Sequence, residues 1–156
     1  MKKFNLKELI YSLLIVYAVA GLSAFLTKDS MESFSSLNKP PLSPPGYIFP
    51  IVWGILFTLM GISAYLVFQS LDNKKDFPYT IYALQLIFNF FWSIIFFNSE
   101  QYLFALIWLI VLWFLILTMI IAFYPHNKLA AYLQIPYLIW VAFAGYLNAG
   151  IWLLNR

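Results

Sequence analysis

Polar side chains recur at helical spacing inside long apolar stretches, and they are the part of this sequence best equipped for chemistry. Four of them stand at i, i+4, i+7 and i+8 and so share one helix face: Gln85, Asn89, Trp92 and Ser93. Unpaired amides are costly in hydrocarbon, so this face must point at another helix or at a cavity. Two interpretations stay open, namely hydrogen bonds that join helices and polar contacts to a ligand.

Two further rows at helical spacing contain aromatic side chains. In the first, a row residue occurs at every fourth position: Trp140, Ala144, Asn148 and Trp152. A second row contains Trp53, Phe57 and Gly61. Tryptophan prefers the membrane interface, which explains Trp53 and Trp152 near the ends of their stretches but not Trp92 and Trp140. Large rings with a few amides suit a flat, mostly apolar ligand, and they equally suit the packing of a helix bundle.

Metal, thiolate and conventional acid–base chemistry are excluded by composition. The sequence has no cysteine, and its single histidine, His126, lies in a polar turn without a nearby carboxylate. A metal site needs more ligands than this. The apolar stretches also lack a carboxylate pair, a Ser–His–Asp order and a glycine-rich phosphate loop. We therefore expect no metal site and no conventional catalytic residues.

The distribution of charge indicates an integral membrane protein. Only 10% of the residues are charged and 63% are hydrophobic, whereas about a quarter of a soluble domain is charged. Residues 40–71 carry no charge, and residues 78–155 carry only those of Glu100 and Lys128. Five stretches reach the roughly 20 apolar residues needed to cross a hydrocarbon core: residues 9–26, 47–71, 79–98, 102–124 and 129–154.

Short polar turns separate the later stretches, at residues 72–76, 99–101 and 125–128. Short connections favour antiparallel neighbours, so we predict one all-α, up-and-down bundle of five transmembrane helices over residues 1–156. We interpret the first stretch as a helix and not as a cleaved signal peptide, because its apolar run is long and lacks a clear cleavage site.

Basic residues are distributed unequally between the two sides of the predicted bundle. Six lie on the side of the N-terminus: Lys2, Lys3, Lys7, Lys74, Lys75 and Lys128. Three lie on the other side: Lys28, Lys39 and Arg156. The positive-inside rule therefore predicts a cytoplasmic N-terminus. The net charge of +3 is scattered, so membrane lipid and not nucleic acid is the expected partner.

The connection between the first two helices, residues 27–46, is the only long one. Its second half contains Pro40, Pro41, Pro44 and Pro45, which exclude a regular helix and favour extended or turn geometry. Its first half contains apolar residues such as Phe34, which a solvated linker rarely carries. Long ordered loops are often lids, so we predict a semi-rigid lid over the bundle.

Taken together, these motifs resemble the TspO/MBR family of translocator proteins, tryptophan-rich sensory proteins and peripheral-type benzodiazepine receptors, and in particular its bacterial members. The matching blocks are Lys39-Pro40-x-x-x-Pro44-Pro45-Gly46, Val52-Trp53-Gly54, Leu59-Met60-Gly61, Gln85-x-x-x-Asn89-x-x-Trp92-Ser93 with Phe96-Phe97, and Pro136-Tyr137-Leu138-x-Trp140-Val141-x-Phe143-Ala144-x-x-Leu147-Asn148. They follow the order and spacing of the family over nearly the whole chain.

The resemblance implies a receptor or sensor in the bacterial cell membrane, with a pocket under the first loop. It implies porphyrin or haem-type tetrapyrrole ligands, synthetic isoquinoline or benzodiazepine ligands, and no required cofactor. The ligand-binding positions that match by motif, together with the lid aromatic, are Phe34, Trp53, Phe57, Asn89, Phe90, Trp92, Trp140, Ala144 and Leu147. Two alternatives stay open: a transporter, and a light- and oxygen-dependent protoporphyrin-degrading enzyme that uses Trp53 and Trp140.

The sequence departs from the family pattern at several positions. Ser33-Phe34 replaces a tryptophan–tyrosine pair in the lid, Leu42 replaces an aromatic residue between the lid prolines, and Trp108 replaces an acidic residue. Ala149 stands at the tyrosine position of the cholesterol motif in helix five, which argues against sterol binding through that motif.

Small residues four apart allow two helices to approach closely. Such pairs are Gly145 with Ala149 and Ala20 with Ala24. They serve either internal packing or a homodimer. The alanine ridge that some relatives carry on helix three is absent, since Ala83 is the only alanine there.

Overall fold

The protein is all-helical over residues 2–71 and 77–156, which are the residues that the computed structural model describes. Within them, five segments are long and apolar enough to cross a membrane: Leu6–Ser35, Ile48–Gln69, Phe77–Asn98, Tyr102–Phe123 and Lys128–Leu154. The predicted fold class, an integral membrane protein of five helices, is confirmed. The polar turn predicted at residues 72–76 lies outside the described residues.

Seven α-helices make up these segments. They are α1 (Leu6–Thr27), α2 (Met31–Ser35), α3 (Ile48–Gln69), α4 (Phe77–Ser93), α5 (Tyr102–Phe123), α6 (Lys128–Leu133) and α7 (Ile135–Leu154). A 3-10 turn, Lys28–Ser30, joins α1 to α2, and a π-helical turn, Ile94–Asn98, follows α4. The π-helical turn continues the third segment to Asn98, where the sequence predicted that this segment ends.

Helix α1 begins at Leu6, earlier than the expected Leu9, because a polar residue caps it. The side chain of Asn5 accepts hydrogen bonds from the backbone N–H groups of Lys7 and Glu8. Such a cap satisfies donors that the first turn of a helix cannot pair internally. A boundary drawn from hydropathy alone misses this turn, since the turn is polar.

The fifth segment is broken just before Pro136. Helix α6 ends at Leu133, and α7 begins at Ile135 with the proline in its first turn. Proline has no N–H to donate and is tolerated at that place. The break separates α6 from the rest of the segment. Helix α6 is bonded to α3, because the Ser63 hydroxyl donates a hydrogen bond to the carbonyl oxygen of Ala130 at 2.7 Å.

The helices close into a ring in which α1 packs against both α3 and α4. Helix α5 packs against α4 and α7, and α6 packs against α3 and α5. Consecutive spanning helices are therefore neighbours at three of the four connections. The exception is α3 and α4, which contact each other much less than either contacts α1.

The outward face of α1 is lipid-facing. Val16 and Thr27 are its buried residues, while Leu14, Leu22 and Phe25 are exposed. Apolar residues on the outside of a transmembrane helix meet hydrocarbon, and its backbone is paired internally. The core consequently lies among α3, α4, α5 and α7.

The lid connection is ordered and partly helical. The 3-10 turn and α2 occupy residues 28–35, a helical start that the sequence analysis did not predict, and the proline-rich part is irregular as expected. Asn98 fixes the helical part, because it donates to the carbonyl of Leu26 at 2.9 Å and accepts from Ser30 at 2.6 Å. These contacts favour the lid interpretation over a solvated linker.

The contact between α1 and α3 generates the first prediction, which concerns Gly61. A Cβ atom at Gly61 would lie 2.9 Å from Leu13 Cδ2, 3.2 Å from Val16 Cγ2 and 3.3 Å from the Leu13 backbone. We expect Gly61→Ala to lower the free energy of unfolding in detergent by about 1–3 kcal/mol, because the two helices must separate.

Gly54 on the same helix is the matched control, since a Cβ there meets nothing within 4 Å. Gly54→Ala should be neutral or slightly stabilising, because alanine favours helix. Equal unfolding curves for the two variants would contradict the close approach at Gly61.

Candidate ligand site between helices α3 and α7

A buried chain of hydrogen bonds links α4 to α7 in the bundle interior. The amide of Asn89 donates to the Tyr137 hydroxyl at 2.7 Å, and that hydroxyl donates to Gln85 Oε1 at 2.9 Å. The other end of the Gln85 amide donates to the sulfur of Met60 at 3.4 Å. Gln85 and Tyr137 are almost fully buried and Asn89 is 6% exposed. Asn89 is thus bonded inside the bundle, and hydrogen bonds between helices pair both amides.

A second polar link lies on the lid side of the first. The indole N–H of Trp92 donates to Asn148 Oδ1 at 3.1 Å, and the Asn148 amide donates to the carbonyl of Tyr102 at 2.8 Å. Helices α4, α7 and α5 are joined at this point. The bond also explains a tryptophan far from the membrane interface, because a buried indole needs an acceptor.

Helices α3 and α7 meet mainly through aromatic side chains. We call this set the α3–α7 cluster; it consists of Phe49, Trp53, Phe57, Tyr137 and Trp140. Trp53 lies 6.2 Å from Tyr137 and Phe49 lies 6.0 Å from Trp140, both edge to face, and Trp53 lies 5.6 Å from Phe57. Trp53 and Trp140 therefore each contact a ring on the facing helix, through two separate ring pairs.

One fully buried polar atom in this cluster has no partner. The indole N–H of Trp140 is buried without a hydrogen bond, although buried donors are normally paired. The Trp140 ring contacts two other rings, those of Phe49 at 6.0 Å and Phe143 at 5.5 Å between centroids, and neither offers an acceptor atom. This N–H is therefore a hydrogen-bond donor that the protein leaves unused.

The cluster is connected to the lid by a ladder of rings along α7. Phe143 stacks on Tyr146 with ring centroids 6.1 Å apart, and the Tyr146 hydroxyl donates to the carbonyl of Pro41 at 2.6 Å. Trp140 contacts the other side of Phe143. Pro41 of the lid is thus connected to the indole of Trp140 through Tyr146 and Phe143.

The remaining predicted ligand residues fall into three places. Ala144 and Leu147 are buried on α7 beside the cluster. Phe34 lies over the end of α4, with its ring 5.9 Å from Phe96 and 5.2 Å from Phe97.

Phe90 lines a different, wholly apolar cleft of about 290 Å³ between α1 and α4. The other residues of that cleft are Ala18, Val19, Leu22, Leu86, Ile87 and Phe91. Phe90 therefore stands apart from Trp53 and Trp140.

Two residues of the cluster were given no role by the sequence analysis. Tyr137 stands next to Pro136 and three residues before Trp140, so helical spacing puts it on a neighbouring face. Phe49 stands one turn before Trp53 and could have been found from the same row. Spacing alone does not single out either residue, because these helices contain many aromatic residues and most of them only pack.

Gly145 of the small-residue pair on α7 faces α5. A Cβ there would come 4.0 Å from Leu109, and Gly145 lines an α5–α7 cleft of about 220 Å³. This supports the packing interpretation of the pair. Within residues 2–71 and 77–156, no three His, Cys, Asp or Glu side chains come together as a metal site, and His126 is exposed.

Comparison with known proteins places this architecture in a family. The model of the TspO/MBR family matches residues 12–153. The chain belongs to the TspO/MBR family. It is similar to the "Tryptophan-rich protein TspO" of Chlorobaculum tepidum, with 37% identity over 135 residues, 85% of each chain.

Two other relatives extend the comparison. The "Tryptophan-rich protein TspO" of Archaeoglobus fulgidus is 34% identical over 152 residues, 97% of this chain and 99% of that one. The human "Translocator protein" is 35% identical over 137 residues, 86% of this chain and 81% of that one. The resemblance drawn from the motifs is confirmed, and this TspO/MBR protein is a multi-pass membrane protein of the sensor or receptor kind.

Tyr137 generates the second prediction. We expect Tyr137→Phe to lower the free energy of unfolding by about 1–3 kcal/mol, because it leaves the Asn89 donor and the Gln85 acceptor buried and unpaired. Denaturant unfolding in detergent, followed by tryptophan fluorescence, measures the loss.

The matched control is Tyr82→Phe. Tyr82 lies on α4, and its hydroxyl is also buried but has no hydrogen-bond partner. Its removal should be neutral or stabilising, since no partner is left unpaired. Equal destabilisation of the two variants would show that ring packing and not the hydroxyl matters at Tyr137.

Proposed function

We propose that this protein is a membrane receptor that binds porphyrins or other flat, mostly apolar tetrapyrroles between α3 and α7, beneath the irregular part of the lid. The observation that carries the proposal is the α3–α7 cluster, in which two helices meet through rings and Trp140 keeps an unpaired N–H. The proposal includes a bacterial cell membrane and a cytoplasmic N-terminus, which the excess of basic residues on that side supports.

The physical argument is an exchange of aromatic contacts. Ring pairs add about 0.5–1.5 kcal/mol each beyond area burial, so edge-to-face contacts within the protein can be replaced by stacking on a macrocycle at little net cost. Trp53 and Trp140 would cover the ligand from facing helices, and Phe57 would close one side. The backbone hydrogen bonds of α3 and α7 stay intact during this exchange.

The polar network behind the cluster would orient the ligand. Asn89 and Tyr137 already bond each other, so they tolerate an apolar ligand without leaving a buried group unpaired. A ligand with its own polar atom could share the Tyr137 hydroxyl or accept from the Trp140 N–H. Isoquinolines and benzodiazepines fit the same description of flat rings with few acceptors.

A receptor is favoured over an ion-coupled transporter by the sequence of the spanning helices. Proton and sodium relays normally use carboxylates within the membrane. None of the residues 102–127 is charged, and the side chains that hydrogen-bond between α4 and α7 carry amides, a phenol and an indole.

The third prediction tests binding. Titration of purified protein with protoporphyrin should shift the Soret band, and the Trp53→Phe and Trp140→Phe double variant should bind about tenfold more weakly. Phenylalanine keeps most of the apolar contact but removes ring area and, at Trp140, a hydrogen bond that contributes about 0.5–1.5 kcal/mol.

Trp108→Phe is the control for this experiment. Trp108 stacks on Phe88 at 4.2 Å and donates to the Phe88 carbonyl, outside the α3–α7 cluster. Its substitution should leave the affinity unchanged. Wild-type affinity in the double variant would refute the site.

Illumination of the same samples separates a receptor from the enzyme alternative. Oxygen-dependent bleaching that falls sharply in Trp140→Phe, while protoporphyrin still binds, would indicate that the indole supplies an electron. Bleaching that is unchanged in the double variant would mean that bound porphyrin only sensitises its own destruction.

The fourth prediction concerns Asn89. Asn89→Leu should weaken ligands with polar groups more than purely apolar ligands, because the Tyr137 hydroxyl loses the donor that positions it. Affinities for a carbonyl-bearing isoquinoline and for an apolar analogue of the same size provide the comparison. Equal losses would show that Asn89 acts through packing alone.

A further inference from the structure

The lid is fastened to α7 by contacts that the proposed ligand site does not use. The backbone N–H of Asn38 donates to Asn155 Oδ1 at 3.0 Å, and the Asn155 amide donates back to the Asn38 carbonyl at 2.8 Å. Tyr146, about two turns earlier, donates to the carbonyl of Pro41. Residues 38–41 are thereby held along the last turns of α7.

The centre of this contact is a proline seated on a glycine. Pro40 is buried, whereas its neighbours Lys39 and Pro41 are exposed. A Cβ atom at Gly150 would lie 2.5 Å from Pro40 Cβ and closer still to its Cγ, distances that folded chains do not show. The ring therefore occupies the place that any side chain at position 150 would take.

The lid beyond this contact is open to its surroundings. Leu42 is 82% exposed and has a φ of 70°, in the left-handed region that a leucine adopts at a cost. A Cβ at Gly46 would meet nothing within 4 Å. The fastening of this part of the lid is accordingly concentrated at residues 38–41.

We propose that residues 38–41 form a latch, with Gly150 and Asn155 as its catch on α7, and that the lid opens by release at this point. The latch goes beyond the proposed function, because it concerns how access to the bundle is controlled, whatever the ligand. Tyr146 links it to the interior through Phe143 and Trp140, so release of Pro41 also frees the ladder of rings.

The chain has no cysteine, so two introduced cysteines can carry spin labels without interference. One label replaces Leu42 at the lid tip, and the other replaces Leu103, which is 44% exposed at the start of α5. Double electron–electron resonance spectroscopy in lipid nanodiscs then measures the distribution of distances between the two labels. The parent protein should give one narrow distribution.

Two substitutions release the latch in different ways. Gly150→Ala removes the space for Pro40, and Asn155→Leu removes the reciprocal hydrogen bonds. Each should raise the population at longer distances about five- to tenfold, as expected from the loss of one or two hydrogen bonds or an equivalent contact. Gly145→Ala is the matched control, because its Cβ meets only Leu109 at 4.0 Å, and its distribution should equal that of the parent.

Compensation and folding checks complete the test. Pro40→Gly in the Gly150→Ala protein removes the clashing ring and should restore much of the short-distance population. Circular dichroism confirms that each variant is folded, and Asn155→Leu, at a half-buried position near the end of the chain, decides the matter if Gly150→Ala does not fold. Unchanged distances in Asn155→Leu, or in a folded Gly150→Ala protein, would overturn the latch.

Discussion

The Tyr137 hydroxyl accepts a hydrogen bond from Asn89 and donates one to Gln85, and the arrangement of the other helices depends on this junction. Inside a bilayer these amides have no water to bond, so α4 and α7 keep the register that pairs them. The hydrogen bond from Trp92 to Asn148 joins the same two helices nearer the lid. With α7 also packed on α5, three helices form a fixed half of the bundle.

Helix α3 is joined to the rest of the bundle by unlike contacts. Ser63 bonds it to α6 and the sulfur of Met60 accepts from Gln85 of α4, whereas its contact with α7 is made by rings. The break at Gln134, which Pro136 imposes, is what allows one segment to contain both kinds of contact. Ring contacts lack the directionality of hydrogen bonds and can be replaced by other flat surfaces, which is why the proposed ligand site lies on the α3–α7 side.

The sequence predicts the spanning segments well, because hydrocarbon thickness fixes their length and few charges interrupt them. It also predicts which polar residues share a face, since an amide in a membrane must point inward. It cannot predict which way an apolar ring points, because lipid and core are equally apolar. For that reason Phe57 and Phe90 look alike in the sequence, yet one joins the α3–α7 cluster and the other lines the α1–α4 cleft. The packing of α1 against both α3 and α4 is hidden for the same reason.

The lid residues that depart from the family pattern clarify what the lid contributes in this chain. The ring of Phe34 packs against Phe96 and Phe97 beyond the end of α4, and the side chain of Leu42 is exposed. Neither is a member of the α3–α7 cluster. A ligand in the proposed site would therefore be recognised by the rings of α3 and α7, while the lid would govern access through Pro40 and Pro41. Recognition and access are then carried by different residues, so that changes in the lid would alter rates of entry and release more than equilibrium affinity.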